Sequence, residues 1–115
     1  MRRRAAERPG DLLGGSLDLL ILRTLELGPN HGFAIAQSIL QRSKAKLLVE
    51  EGSLYPALHR LEARGWIAAT WGVSDHNRRA RFYALTRAGR KQLAAEAHRW
   101  ADLSAAVARI LEPLP

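Results

Sequence analysis

The chain has 115 residues, 47% hydrophobic and 25% charged, enough for one soluble domain built on one core. Lys and Arg number 18 against 11 Asp and Glu, a formal net charge of +7 that favours polyanionic partners. Cysteine is absent, which excludes a disulfide scaffold, a cysteine-bound zinc or iron–sulfur centre and a thiol nucleophile.

Residues 1–15 open with Met1-Arg2-Arg3-Arg4, and no apolar signal core follows them. Pro9, Gly10, Gly14 and Gly15 break any apolar period, so the segment reads as a disordered basic arm. Ser16 reads as an N-cap, with Asp18 in the first turn. Leu17, Leu19, Leu20, Ile21, Leu22, Leu25 and Leu27 then cover nearly every side, which predicts the most buried helix of the fold. Its apolar run, Leu17 to Leu22 and interrupted by Asp18, is far shorter than the roughly 20 residues that span a bilayer. A cytoplasmic protein with no membrane partner is expected. Gly28-Pro29-Asn30 stops the helix.

The spacing predicts a second helix over 32–42, with Phe33, Ala36 and Leu40 in one stripe that Ile35 and Ile39 widen. A basic connection follows, Ser43-Lys44-Ala45-Lys46, and then Leu47-Leu48-Val49 as a short extended segment. A third helix is predicted from Ser53, as cap, to Arg64, putting Pro56 at the third helical position, where a missing N–H is tolerated. Gly65 ends it in a left-handed conformation.

The period then changes to two. Trp66 to Trp71 reads as a strand, Gly72 to Arg78 as a loop and Arg79 to Leu85 as a returning strand. Thr86 caps a last helix, weakened by Gly89 near its start. Along it Leu93, Ala97, Trp100, Ser104, Val107 and Leu111 recur at alternating spacings of four and three, widened by Leu103 and Ile110. Pro113 closes it.

Three helices, a strand pair with a basic loop and a final helix form the winged helix-turn-helix order. The fold expected is mainly α with a small β-hairpin, plus a C-terminal dimerisation helix. Its parts are the arm over 1–15, the winged-helix domain over 16–86 and the dimerisation helix over 87–115. Charge follows these parts: residues 66–92 carry +5, residues 1–15 and 42–65 carry +2 each, and residues 16–41 and 93–115 carry −1 each.

At about 100° per residue, Leu54, Ala57, Leu58 and Leu61 of the third helix share one arc and face the core. Tyr55, Pro56, His59, Arg60 and Ala63 face outward, offering a hydroxyl, an imidazole and a guanidinium to base edges or phosphates in a major groove. In the wing, Arg79 and Arg81 share one strand face and Arg78 belongs to the tip. Three guanidiniums so close repel one another unless an anion screens them, and a duplex supplies that anion. Lys44 and Lys46 precede the third helix and can hold the same duplex. The seam on the last helix needs a partner, either the first helix or a second copy. Two copies present two reading helices about 34 Å apart to a palindromic site. An RNA- or protein-binding winged helix is the alternative, and an enzyme the least expected class.

The segment from Gly52 to Glu62, GSLYPALHRLE, followed by Gly65-Trp66-Ile67, resembles the third helix of PadR-like transcriptional regulators. Leu25 to Ile35, LELGPNHGFAI, resembles that family's junction between first and second helices, and Arg81 to Arg90, RFYALTRAGR, its second wing strand and entry to the last helix. The resemblance implies a homodimeric winged-helix repressor that pairs through its C-terminal helix, here over 87–111. It implies DNA contacts by Ser53, Tyr55, Pro56, His59 and Arg60, with Arg79 and Arg81 in the wing. Some members release DNA when a small aromatic or lipophilic effector binds near the dimer interface. Unlike longer members, this chain stops soon after one C-terminal helix, so no large added effector domain is expected.

No cofactor or metal is expected. The histidines, His31, His59, His76 and His98, read as scattered, with none at i,i+4 spacing from another ligand, and His31 reads as structural. Trp66, Trp71 and Trp100 have the shape for a flat-ligand pocket, but such residues more often pack a core or a dimer face. Ser53 has no His or Asp at a nucleophile's spacing, and no glycine-rich phosphate loop follows a strand.

Overall fold

Leucine and isoleucine on nearly every side make α1 (Leu17–Leu25) the centre of the fold, with Leu17, Ile21, Leu22 and Leu25 all buried. A computed structural model describes residues 16–115; the expectation for the arm over 1–15 lies outside the described residues. Buried Thr24 satisfies its hydroxyl by donating to the Leu20 carbonyl at 2.8 Å. The N-cap position is Ser16, but its side chain accepts no hydrogen bond there.

The chain turns through Glu26 to Pro29 into β1 (Asn30–His31) and then α2 (Gly32–Arg42). Ile35 and Ile39 turn inward and Phe33 stays exposed, so the buried stripe is centred on the isoleucines rather than on Phe33. The connection over 43–50 is irregular, with Lys44 and Ala45 at positive φ and only Val49 buried.

α3 (Glu51–Ala63) begins three residues earlier than a cap at Ser53 predicts, with Glu50 at its N-cap. Ser53 therefore lies in the first turn and does not cap the helix. Pro56 moves to the sixth helical position, inside the helix. The inward arc is Leu54, Ala57, Leu58 and Leu61, all buried. Gly65 takes φ +76°, letting the Trp66 N–H reach back to the Leu61 carbonyl at 3.0 Å and close the helix.

β2 (Ile67–Val73) and β3 (Arg79–Leu85) form an antiparallel hairpin, paired from Ile67 with Leu85 to Val73 with Arg79. The short β1 pairs with the other edge of β3, giving a three-stranded sheet in the order β1-β3-β2. Two residues are too few to show a period, which is why only the hairpin is legible in the sequence. The tip turns through Asn77 at φ 59°, held by Ser74 N–H to the Arg78 carbonyl at 2.8 Å.

α4 (Arg87–Leu111) starts at Thr86, whose hydroxyl accepts the Gly89 N–H at 3.0 Å and donates to the Gly65 carbonyl at 2.7 Å. Leu93 is 3% exposed and belongs to the chain's own core, where α4 packs on α1. The seam expected for a partner thus begins one turn later, because Leu93 already has its partner within the chain. Beyond that turn the helix leaves the body, and every residue from Ala97 onward is exposed. No helix among the described residues is long and apolar enough to cross a membrane.

Candidate nucleic-acid interface

Burying the leucine arc of α3 forces its other side out: Tyr55, Pro56, His59, Arg60 and Ala63 are all exposed. The hairpin register sets a second wall. Trp71, Val73, Arg79 and Arg81 alternate onto one face of the sheet, the face that carries buried Ile67 and Tyr83 toward the core. Between α3, the start of α2 and this strand face lies an open groove of about 860 Å³. His31, Phe33, Tyr55 and His59 line it from the helices, and Trp71, His76, Arg78, Arg79, Arg81 and Tyr83 from the wing. Among the described residues, no carboxylate lines it. A concave, arginine-rich and aromatic surface of this kind attracts a polyanion.

The arginines are not equivalent. Arg79 lies 4.5 Å above the Trp71 ring, a cation–π contact across a diagonal of the hairpin. Arg81 donates to Glu62 of α3 at 2.9 Å and sits 5.8 Å over Tyr83. Arg60 donates to Asp18 of α1 at 2.8 Å. Arg78 is exposed at the tip. The mutual repulsion expected of the wing arginines is thus relieved partly from within, by one carboxylate and one indole face. Burial pushes the Tyr83 hydroxyl up from its ordinary 10.0; the Arg81 guanidinium opposes this.

Tyr55 is 40% exposed, and its ring edge lies against Gly32, 3.0 Å from where a side chain there would begin. Its hydroxyl oxygen lies equally close, so the phenol is braced against the start of α2 where both residues line the groove. His31 caps α2: its Nδ1 accepts the Ala34 N–H at 3.3 Å, and its ring meets Phe82 edge-on at 5.3 Å. That makes its role structural even though it lines the groove. Lys44 and Lys46 are exposed in the connection before α3 and do not line the groove. Ser53 is half-buried in the first turn of α3.

Glu62, Asp18 and Trp71 escape the sequence reading of this site. The first two act across separations of 19 and 42 residues, which no local pattern encodes. Trp71 is recoverable, since pairing Val73 with Arg79 puts it diagonal to Arg79 once the turn is known.

On α4, Trp100, Leu103, Val107, Ile110 and Leu111 leave an apolar stripe open, with Trp100 51% exposed. The polar sides are occupied locally by Arg99–Glu96 at 2.9 Å and His98–Asp102 at 3.5 Å. His98 therefore does stand four residues from another ligand type, contrary to the expectation that no histidine does. Two such groups do not make a metal site, and no cluster of three occurs among the described residues.

Residues 21–95 match the model of the transcriptional regulator PadR-like family. An uncharacterised protein of Lysinibacillus sphaericus is 31% identical over 105 residues, 90% of this chain and 95% of that one. A transcriptional regulator from Clostridium thermocellum superposes with a TM-score of 0.80 at 25% identity, covering 89% of this chain and 99% of its own. A PadR family transcriptional regulator from Eggerthella lenta DSM 2243 gives 0.75 at 28% identity, covering 90% and 88%.

Proposed function

The chain belongs to the PadR-like family of transcriptional regulators, and on that premise we propose that it is a sequence-specific, double-stranded DNA-binding repressor acting as a homodimer on a palindromic operator in the cytoplasm. The observation that carries this is the groove itself: three arginines and three histidines line it, and no carboxylate among the described residues does. The exposed side of α3 enters the major groove and reads base edges through Tyr55 and His59, with Pro56 flat against the duplex. Arg79 and Arg78 hold phosphates from the wing, and Lys44 and Lys46 hold the backbone on the other flank. Arg60 and Arg81 reach DNA only by exchanging Asp18 or Glu62 for a phosphate or a base.

Two copies pair through Ala97, Trp100, Leu103, Ser104, Val107, Ile110 and Leu111 of α4. A small aromatic or lipophilic effector belongs in this reading near the paired helices. Repression follows if the occupied operator overlaps a promoter.

Titrating a duplex from the region upstream of the chain's own coding sequence tests the proposal. Affinity is expected to fall steeply with salt and to exceed that for a random duplex. Equal affinity for the two at moderate salt would refute sequence-specific regulation.

A further inference from the structure

We infer that Glu62 withholds the Arg81 guanidinium from the phosphates of DNA that is not docked through α3, lowering sequence-independent binding more than operator binding and so sharpening discrimination. The inference rests on the DNA-binding reading above and goes further, assigning a specificity role to a carboxylate outside the groove lining.

Arg79 and Arg81 occupy the same strand face, two residues apart, and both line the groove. Their surroundings differ. Arg79 rests on Trp71, which leaves its positive charge uncompensated. Arg81 gives an N–H to Glu62 at 2.9 Å, each side chain about one-third exposed, so the pair is close to neutral where a phosphate would approach. A neutral pair displaces no counterion from DNA and adds nothing to the salt-dependent phosphate contacts that hold a duplex of arbitrary sequence. A duplex that takes Arg81 must expel Glu62 and then lie beside a bare carboxylate, which repels it. A duplex that docks through α3 and Arg79 meets neither obstacle. Because specificity is a difference of affinities, a penalty that falls only on binding through Arg81 and spares docking through α3 and Arg79 widens that difference.

The same arrangement recurs on the other flank of α3. Asp18 holds Arg60 at 2.8 Å, again from a distant element. By contrast, Arg23–Glu26 and Arg99–Glu96 are i,i+3 pairs on single helices away from the groove.

The test is Glu62→Gln, which keeps the side chain's shape and removes its charge. Anisotropy titrations with a random-sequence duplex and with the upstream duplex are run over a range of salt. Affinity for the random duplex is expected to rise about five- to tenfold near 0.1 M salt, and the slope of log affinity against log salt to steepen by about 0.9. The ratio of upstream to random affinity is expected to fall. Glu62→Gln combined with Arg81→Ala is expected to lose the gain. An unchanged slope, or a gain that survives Arg81→Ala, overturns the inference. So does a drop in affinity for both duplexes, which is what a merely loosened wing would give. Wild-type protein that binds neither duplex at any salt refutes instead the DNA-binding reading on which the inference stands.

Discussion

Gly89 decides by a single missing methyl group how α4 meets the sheet. A side chain there would collide with the Trp66 carbonyl and lie 2.9 Å from Leu85 Cδ1. Alanine favours helix over glycine by about 1 kcal/mol, but neither a backbone oxygen nor a packed leucine can yield cheaply. Gly89→Ala is therefore expected to destabilise the fold by about 1–3 kcal/mol in urea unfolding, despite alanine's helix preference. Tyr83 makes a pH prediction at the same scale. Its folded pKa is raised above 10.0 by burial, so the native state holds the phenolic proton more tightly than the unfolded chain. That stability is complete below pH 10.0 and is lost as pH climbs through the raised value. The melting temperature of the wild type should fall above about pH 10 more steeply than that of Tyr83→Phe.

Among the elements, α3 carries a conflict between local and tertiary demands. With Glu50 as N-cap, Pro56 stands inside the helix and denies the Gly52 carbonyl its usual donor. Four buried side chains, Leu54, Ala57, Leu58 and Leu61, hold the helix against that loss, since each buried leucine contributes roughly 1.5–3 kcal/mol. Pro56→Ala should restore the hydrogen bond and raise stability by about 1–2 kcal/mol in thermal melts. A lower melting temperature would show that the ring fits the helix start without cost. If Pro56 lies flat against DNA, the same variant weakens binding while it stabilises the fold.

The whole molecule divides into a packed body and a projecting helix. The core of α1, α2, α3 and the sheet is closed by Leu93, and beyond it α4 presents Trp100, Leu103 and Val107, each about half-exposed. A stripe of that size on an isolated helix is covered in solution by a second copy under the function proposed. Trp100→Asp would bury a charge in that seam and shift the protein to monomer in ultracentrifugation. An intact dimer would remove Trp100 from the interface. Loss of pairing should also weaken operator binding far more than binding to a single half-site, because the two reading helices would no longer be linked.

The sequence by itself determined the order of the four helices and the two hairpin strands, the leucine face of α3, the bounds of β3, the Thr86 cap and the family resemblance. All of these rest on periods and caps that span a few residues. It left β1 undetected, put the start of α3 at Ser53, assigned Leu93 to a partner and treated Arg79 and Arg81 as alike. Only tertiary structure settled those points. A two-residue strand has no period, and Leu93 looks the same along a helix whether it meets α1 or another chain. The partners of Arg60 and Arg81 arrive from 42 and 19 residues away, brought there by core packing that no local spacing records.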